Sequence, residues 1–336
     1  MDSEQARHEA LGLTADDLLA MYRYMLAARA FDERTMILER QGKIPFTVTG
    51  VGHEGAQVGA AWSLRKGIDI VLPYYRDVGV MLVLGMTPYE MMLGEFARAG
   101  DPNSGGRQMP KHWGSRRLSV ITQSSPVATQ IPHAAGLGLA AKLKGEDAIV
   151  WVSFGDGAAS KGDFHEGVSF AAIHKLPVVF FCENNLYAIS VPLERQSPVP
   201  NVADRSAAYG IPGVTVDGND VLEVYRVSLE AGERARRGEG PTLIEARTYR
   251  FDPHTTNDDD RKYRSREEID SWRSQDPILR FSAYLKEHGF LTEEEDLALR
   301  EEAKATMLEA ARAAEAAPEP DGPSALRYVY HEEEGP

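Results

Sequence analysis

Residues 154–190 read FGDGAASKGDFHEGVSFAAIHKLPVVFFCENNLYAIS, and two groups in this stretch could do chemistry together. Asp156 stands between two glycines at the front, and Asn185 follows it by twenty-nine positions as the second half of an Asn-Asn pair. Each comes directly after an apolar run, AIVWVSF (148–154) and PVVFFC (177–182). A carboxylate oxygen, an amide oxygen and nearby backbone carbonyls are hard ligands, suited to Mg2+ rather than to zinc. Magnesium keeps open positions that phosphates commonly complete, and the glycines beside Asp156 let the backbone approach a diphosphate closely. Taken separately, each motif is an ordinary turn. Placed after consecutive strands on one sheet edge, they make a site.

That placement depends on the elements around them. The runs 148–154, 177–182, 213–218 and 241–250 read as strands, with helices between them at 162–175 and 220–236. Apolar strands alternating with helices imply an α/β fold, a parallel sheet covered by helices on both faces, whose ligands bind beyond the carboxyl ends of the strands. Upstream, Thr14 and Asp17 form a capping box that opens a helix ending at Gly42, and a second helix follows GVGHEG (50–55). The segment IDIVLPYYRD (68–77) reads as a strand ending in a polar turn. TPYE (87–90) is another capping box, with proline at the first helical position. Residues 100–125 form a long loop, a feature usually tied to function, and HAAGLGLAAKLKG (133–145) is a small-residue helix. A polar loop, 251–266, precedes helices within 266–288 and 292–315. The expected organisation is a leader (1–13), one domain (14–316) and a tail (317–336).

Composition narrows the function. The net charge of −14 argues against nucleic acid as a partner. The single cysteine, Cys182, excludes disulfide frameworks and cysteine-rich metal sites. No signal peptide and no apolar run long enough to cross a bilayer is present, so no membrane association is expected and the chain reads as cytoplasmic.

The Asp156–Asn185 pattern resembles the thiamine diphosphate fingerprint, GDG followed some thirty residues later by NN. The likeness extends to GHEGAQVG (52–59), PYYRDVGVML (73–82), GRQMPKHWG (106–114), SSPVATQIP (124–132), VDGNDV (216–221) and TYRFDPHTTNDDDRKYRS (248–265). Together these resemble the alpha subunit of heterotetrameric 2-oxo acid dehydrogenases from about residue 20 to 315. GRQMPKH and SSPVATQ look more like the branched-chain enzyme than the pyruvate enzyme.

The resemblance implies that Asp156, the Asn185 side chain and the Tyr187 carbonyl bind Mg2+. It implies that Tyr75 and Arg76 hold the diphosphate of thiamine diphosphate, with Gly157 and Ala158 beside it and Ser125 and Val127 near the cofactor's centre. Ser124, Pro126, Thr129 and Gln130 look like a site for a monovalent cation, K+. Phe46 and Tyr75 resemble substrate-pocket residues, which with Val127 would form an apolar pocket. His254 matches an active-site histidine that contacts the cofactor and assists acyl transfer to a lipoyl group. His53, His112, His133 and His165 show no metal spacing and receive no chemistry. The expected partners are a beta subunit, in an assembly of two alpha and two beta chains, and a lipoyl-bearing acyltransferase. The glutamate that activates the aminopyrimidine would come from the beta subunit. The expected reaction is oxidative decarboxylation of a branched-chain 2-oxo acid with reductive acylation of lipoamide. Other readings are a pyruvate or acetoin dehydrogenase alpha subunit, a non-catalytic binding subunit, and a Mg2+-dependent phosphohydrolase. The last needs an in-chain nucleophile that the sequence does not supply.

Overall fold

The computed structural model describes residues 6–327, 329 and 330. Its strands are β1 (Ile70–Leu72), β2 (Val150–Gly155), β3 (Val178–Asn184), β4 (Tyr187–Ala188), β5 (Val191–Pro192), β6 (Gly213–Asp217) and β7 (Thr242–Arg247). Five of them form one parallel sheet in the order β1-β2-β3-β7-β6, and β4 and β5 make a small antiparallel hairpin. The helices are α1 (Arg7–Ala10), α2 (Ala15–Arg40), α3 (Glu54–Trp62), α4 (Val78–Leu84), α5 (Pro88–Glu95), α6 (Gln130–Lys144), α7 (Gly162–Ile173), α8 (Leu193–Gln196), α9 (Val221–Arg236), α10 (Arg266–Arg273), α11 (Pro277–Glu287) and α12 (Glu293–Glu315).

Successive strand residues point to opposite faces. Trp151, Val179, Phe181 and Ile244 join a core built with α9, α3 and α2, whereas Val152, Phe154, Phe180 and Cys182 join one built with α6 and α7. Both faces are therefore buried, which explains the nearly continuous apolar runs and bears out the expected α/β class. Both expected capping boxes are present, Thr14 with Asp17 and Thr87 with Glu90.

Two elements differ from expectation for local reasons. The 68–77 strand shrinks to Ile70–Leu72, because Pro73 offers no N–H and the Tyr74 N–H turns to Asp77 Oδ2 at 2.8 Å. The 133–145 helix starts earlier, at Gln130. The long loop before it contains a 3-10 turn, Arg116–Leu118, and is organised by Asp101, which accepts N–H bonds from Asn103, Ser104 and Gly106. Residues 1–5 of the leader and 328 and 331–336 of the tail lie outside the described residues. Within the leader, His8 is buried against Tyr284, its Nδ1 2.8 Å from the phenol oxygen. The tail runs past Arg98 and Arg107, of which the first pairs with Glu319 and the second donates to the Ser324 carbonyl.

One core residue predicts a pH effect. Glu95, the last residue of α5, is buried, and neither carboxylate oxygen has a hydrogen-bond partner. Burial pushes its carboxyl up to about 7, against the pull of Lys111. The folded chain thus holds this proton more tightly than the unfolded one, so stability falls as pH rises from 4.5 to about 7 and stays lower above. The loss is on the order of 3 kcal/mol. Glu95→Gln is expected to raise the melting temperature by roughly 5 °C at pH 8 and little at pH 5. An equal shift at both values would contradict this.

Candidate active site

In the register of β2 against β3, Gly155 pairs with Glu183, so the chain leaves both strands side by side at the next residues, Asp156 and Asn184-Asn185. Asp156 opens a 3-10 turn, Asp156–Ser160, and is buried. Gln196 Nε2 donates to its Oδ2 at 2.9 Å. Burial pushes this carboxyl above its ordinary value, while the Gln196 bond and the charges of Arg250 and Arg76 pull it down. Gly157 is needed at the next position: a Cβ there would stand 2.8 Å from the Ala188 Cβ, where the β4–β5 hairpin lies across the turn. Ala158 is buried behind it.

The two asparagines face opposite ways. Asn184 turns into the sheet, donating to Glu245 Oε1 at 2.6 Å and accepting from the Leu186 N–H at 2.9 Å. That bond steadies Leu186 in a left-handed conformation, φ 71°, which reverses the chain. Asn185 instead pairs its Nδ2 with His53 Nε2 at 3.2 Å, and its Oδ1 accepts from the Tyr187 N–H at 3.3 Å. Opposite Tyr187 in the hairpin stands Pro192, which has no N–H to give the Tyr187 carbonyl. The Tyr187 hydroxyl is held by Glu268 on α10.

Two buried guanidiniums face this rim. Arg76 donates to the Thr49 carbonyl and, from Nη2, to His254 Nδ1 and the His254 carbonyl, both at 3.0 Å. Arg250 donates to the carbonyls of Asp252 and Ile189 and to the Tyr263 hydroxyl, and its buried Nη1 has no partner. Each is 1% exposed, and neither is paired with a carboxylate among the described residues. Burial, and then the charge of Arg76, push Arg250 down to about 10. Buried charge of one sign is costly unless a counter-charge arrives, so this pair would suit an anion.

His254 takes its state from the same pair. An arginine N–H donates to its Nδ1, so the neutral ring carries its proton on Nε2. Burial, Arg76 and Arg250 push its pKa down to about 3. The 251–266 loop is tied to itself: Asp258 accepts from the His254 N–H at 2.9 Å and from the Tyr263 hydroxyl, and Arg264 pairs with Asp260 at 2.6 Å. Tyr75 packs edge-on to His254 and lies under the Arg76 guanidinium.

Other predicted residues gather less closely. Ser125 and Val127 are exposed on the loop before α6, where the Ser125 hydroxyl meets His112 Nε2 at 2.7 Å. The Ser124 and Thr129 hydroxyls both donate to the Pro126 carbonyl, but the Gln130 side chain turns to the Ser153 carbonyl of β2. Phe46 lines a cavity of about 350 Å3 with Pro45, Phe96, Met109 and Pro110, and neither Tyr75 nor Val127 lines that cavity.

The acids beneath the rim are already engaged. Asp77 accepts from the Tyr74 N–H and Ser153, and Glu183 from Gln57 and the Tyr74 hydroxyl. Burial and then Glu183 hold the Asp77 carboxyl well above its ordinary value. Among the described residues no three His, Cys, Asp or Glu side chains are grouped to hold a metal. A cation at this rim would therefore use amide, carbonyl and phosphate oxygens beside Asp156. Neither His53 nor Gln196 carries a local sequence mark as a neighbour of the site: His53 lies 132 positions from Asn185, and Gln196 40 positions from Asp156. His53 is buried, its Nδ1 is 3.2 Å from the Gly50 carbonyl, and burial and Arg76 push its pKa down to about 3.

Comparison with known proteins identifies the family. The family described as dehydrogenase E1 component matches residues 22–322. The chain is 54% identical to the 2-oxoisovalerate dehydrogenase subunit alpha of Bacillus subtilis, over 96% of this chain and 98% of that one. It is 41% identical to the 3-methyl-2-oxobutanoate dehydrogenase subunit alpha of Mycobacterium tuberculosis, over 95% of this chain and 84% of that one. Its identity to the pyruvate dehydrogenase E1 component subunit alpha of Bacillus subtilis is 39%, over 95% and 83% of the two chains. The chain belongs to the dehydrogenase E1 component family.

Proposed function

We propose that this chain is the alpha subunit of a branched-chain 2-oxo acid dehydrogenase, and that its 14–316 domain anchors thiamine diphosphate through Mg2+ at the Asp156–Asn185 rim. The observation that carries the cofactor reading is the charge arrangement: two buried guanidiniums without a carboxylate partner among the described residues face a buried carboxylate and a carboxamide. A diphosphate bridged by a divalent cation satisfies both halves at once.

Asp156, Asn185 Oδ1 and the Tyr187 carbonyl would hold the cation. Arg76 and Arg250 would hold the diphosphate, with Tyr75, Gly157 and Ala158 beside it and Ser125 and Val127 toward the rest of the cofactor. Thiamine diphosphate, when bound, supplies the carbanion chemistry by which a 2-oxo acid loses CO2. His254 would offer its Nε2 proton to a phosphate or to the reacting oxygen, and steady the acyl group as it passes to lipoamide. Ser124, Pro126 and Thr129 support a K+ site that would order their loop. The proposed assembly contains two alpha and two beta chains, delivers its acyl group to a lipoyl-bearing acyltransferase, and works in the cytoplasm.

The greater identity to relatives named for 2-oxoisovalerate and 3-methyl-2-oxobutanoate than to the pyruvate relative supports branched substrates. Each extra buried carbon of a branched side chain is worth about 0.8 kcal/mol. The alpha–beta enzyme should therefore show kcat/KM roughly tenfold higher for 2-oxoisovalerate than for pyruvate. Comparable values for the two would remove the branched-chain reading.

A further inference from the structure

We propose that His53 and Gln196 are positioning residues that fix which oxygens Asn185 and Asp156 present to the cation. The inference rests on the Mg2+–diphosphate reading of the rim.

His53 sits in a loop that cannot shift easily. The Gly50 N–H donates to the buried Asp32 Oδ2 at 2.6 Å, and a Cβ on Gly50 would stand 2.6 Å from the Arg76 carbonyl. Gly52, at φ 99°, runs against the Tyr249 carbonyl. Within this loop the His53 Nδ1 meets the Gly50 carbonyl, which can only accept, so Nδ1 carries the proton of the neutral ring. Nε2 is then an acceptor. The Asn185 group 3.2 Å away must be the NH2 end of its amide. The Asn185 Oδ1 is thereby turned the other way, with one lone pair taken by the Tyr187 N–H and the other left for a ligand. Without His53, either end of the amide could face the rim, and an NH2 end would repel a cation.

Gln196 does the corresponding work for Asp156. It ends α8, beyond the β4–β5 hairpin, and its Nε2 donates to Asp156 Oδ2 and to the Val191 carbonyl, each at 2.9 Å. Turning its amide over would break both bonds. Asp156 therefore has one oxygen engaged and one available. Partners in this outer layer orient metal ligands, and losing one typically lowers metal affinity 10–100-fold.

The test uses Mn2+ as the probe, titrated by electron paramagnetic resonance into the alpha–beta assembly with thiamine diphosphate present. His53→Leu and Gln196→Leu are each expected to weaken Mn2+ binding by roughly tenfold or more. His53→Gln, whose amide oxygen can accept from Asn185, is expected to recover most of that loss. Gln196 is half-buried in a short helix, and its variant carries the test whatever happens to folding at His53. Binding within twofold of the parent in Gln196→Leu and His53→Leu overturns the proposal. So does equal loss in His53→Leu and His53→Gln, which would make His53 a packing residue. Asp156→Ala separates the two levels: parent-like Mn2+ binding in that variant removes the cation reading itself. Loss there with parent-like binding in the other two variants removes only the positioning role.

Discussion

Asp156→Ala in the alpha–beta assembly is expected to lose more than about 100-fold in affinity for thiamine diphosphate with Mg2+ present. Asp156 is the one carboxylate at the rim that faces the proposed cation. The other protein ligands, an amide oxygen and a peptide carbonyl, are neutral. Removing it leaves the diphosphate attached by Arg76 and Arg250 alone, without the bridge that offsets its charge on the opposite side. The folded chain should tolerate the change, because burial already pushes this carboxyl up and its one side-chain partner is Gln196. Cofactor-free melting temperature is therefore expected to stay level while cofactor affinity collapses in isothermal titration. Near-parent affinity in a folded variant would refute the metal assignment.

The second large effect is all-or-none. The chain purified without a beta subunit is expected to show no 2-oxo acid decarboxylation, and to gain it when a beta subunit is added. The chemistry needs a carboxylic acid at the aminopyrimidine, and the acids around the rim have other duties. Glu245 holds Asn184 and the Ala203 N–H, and Glu268 holds the hydroxyls of Tyr187 and Tyr249. Asp252 accepts from Thr49, and Asp258 from the His254 N–H and Tyr263. Freeing Glu268 or Asp258 would release Tyr187 or the His254 backbone. Robust turnover by the rigorously purified chain would contradict this and point to an acid within it.

These expectations rest on features of unequal legibility in the sequence. The sheet was readable because a strand buried on both faces must be apolar along its length, as AIVWVSF and PVVFFC are. The meeting of Asp156 and Asn185 followed from two strands ending at one edge. The strand order was not readable, since helical crossovers of similar length permit several orders, and β7 inserts between β3 and β6. The β4–β5 hairpin is too short to carry a period, yet it brings Gln196 to Asp156. His53 is 132 positions from Asn185, and a histidine before a helix has no local mark of its target. Lys111, within GRQMPKHWG, is a buried ion-pair partner of Asp32 at 2.7 Å. Residue type and local order thus point to the proposed ligands. The groups proposed to hold them in place are visible only once separate loops are brought together.

The proposed site has a divalent cation joining the β2–β3 rim to a diphosphate held by Arg76 and Arg250. Anomalous diffraction from Mn2+, in crystals of the alpha–beta assembly grown with thiamine diphosphate, tests it most directly. A peak is expected roughly 2.0–2.3 Å from an Asp156 carboxylate oxygen, Asn185 Oδ1 and the Tyr187 carbonyl, with the diphosphate between that peak and the two guanidiniums. A Mn2+ peak away from Asp156, or a diphosphate that touches neither Arg76 nor Arg250, would contradict it.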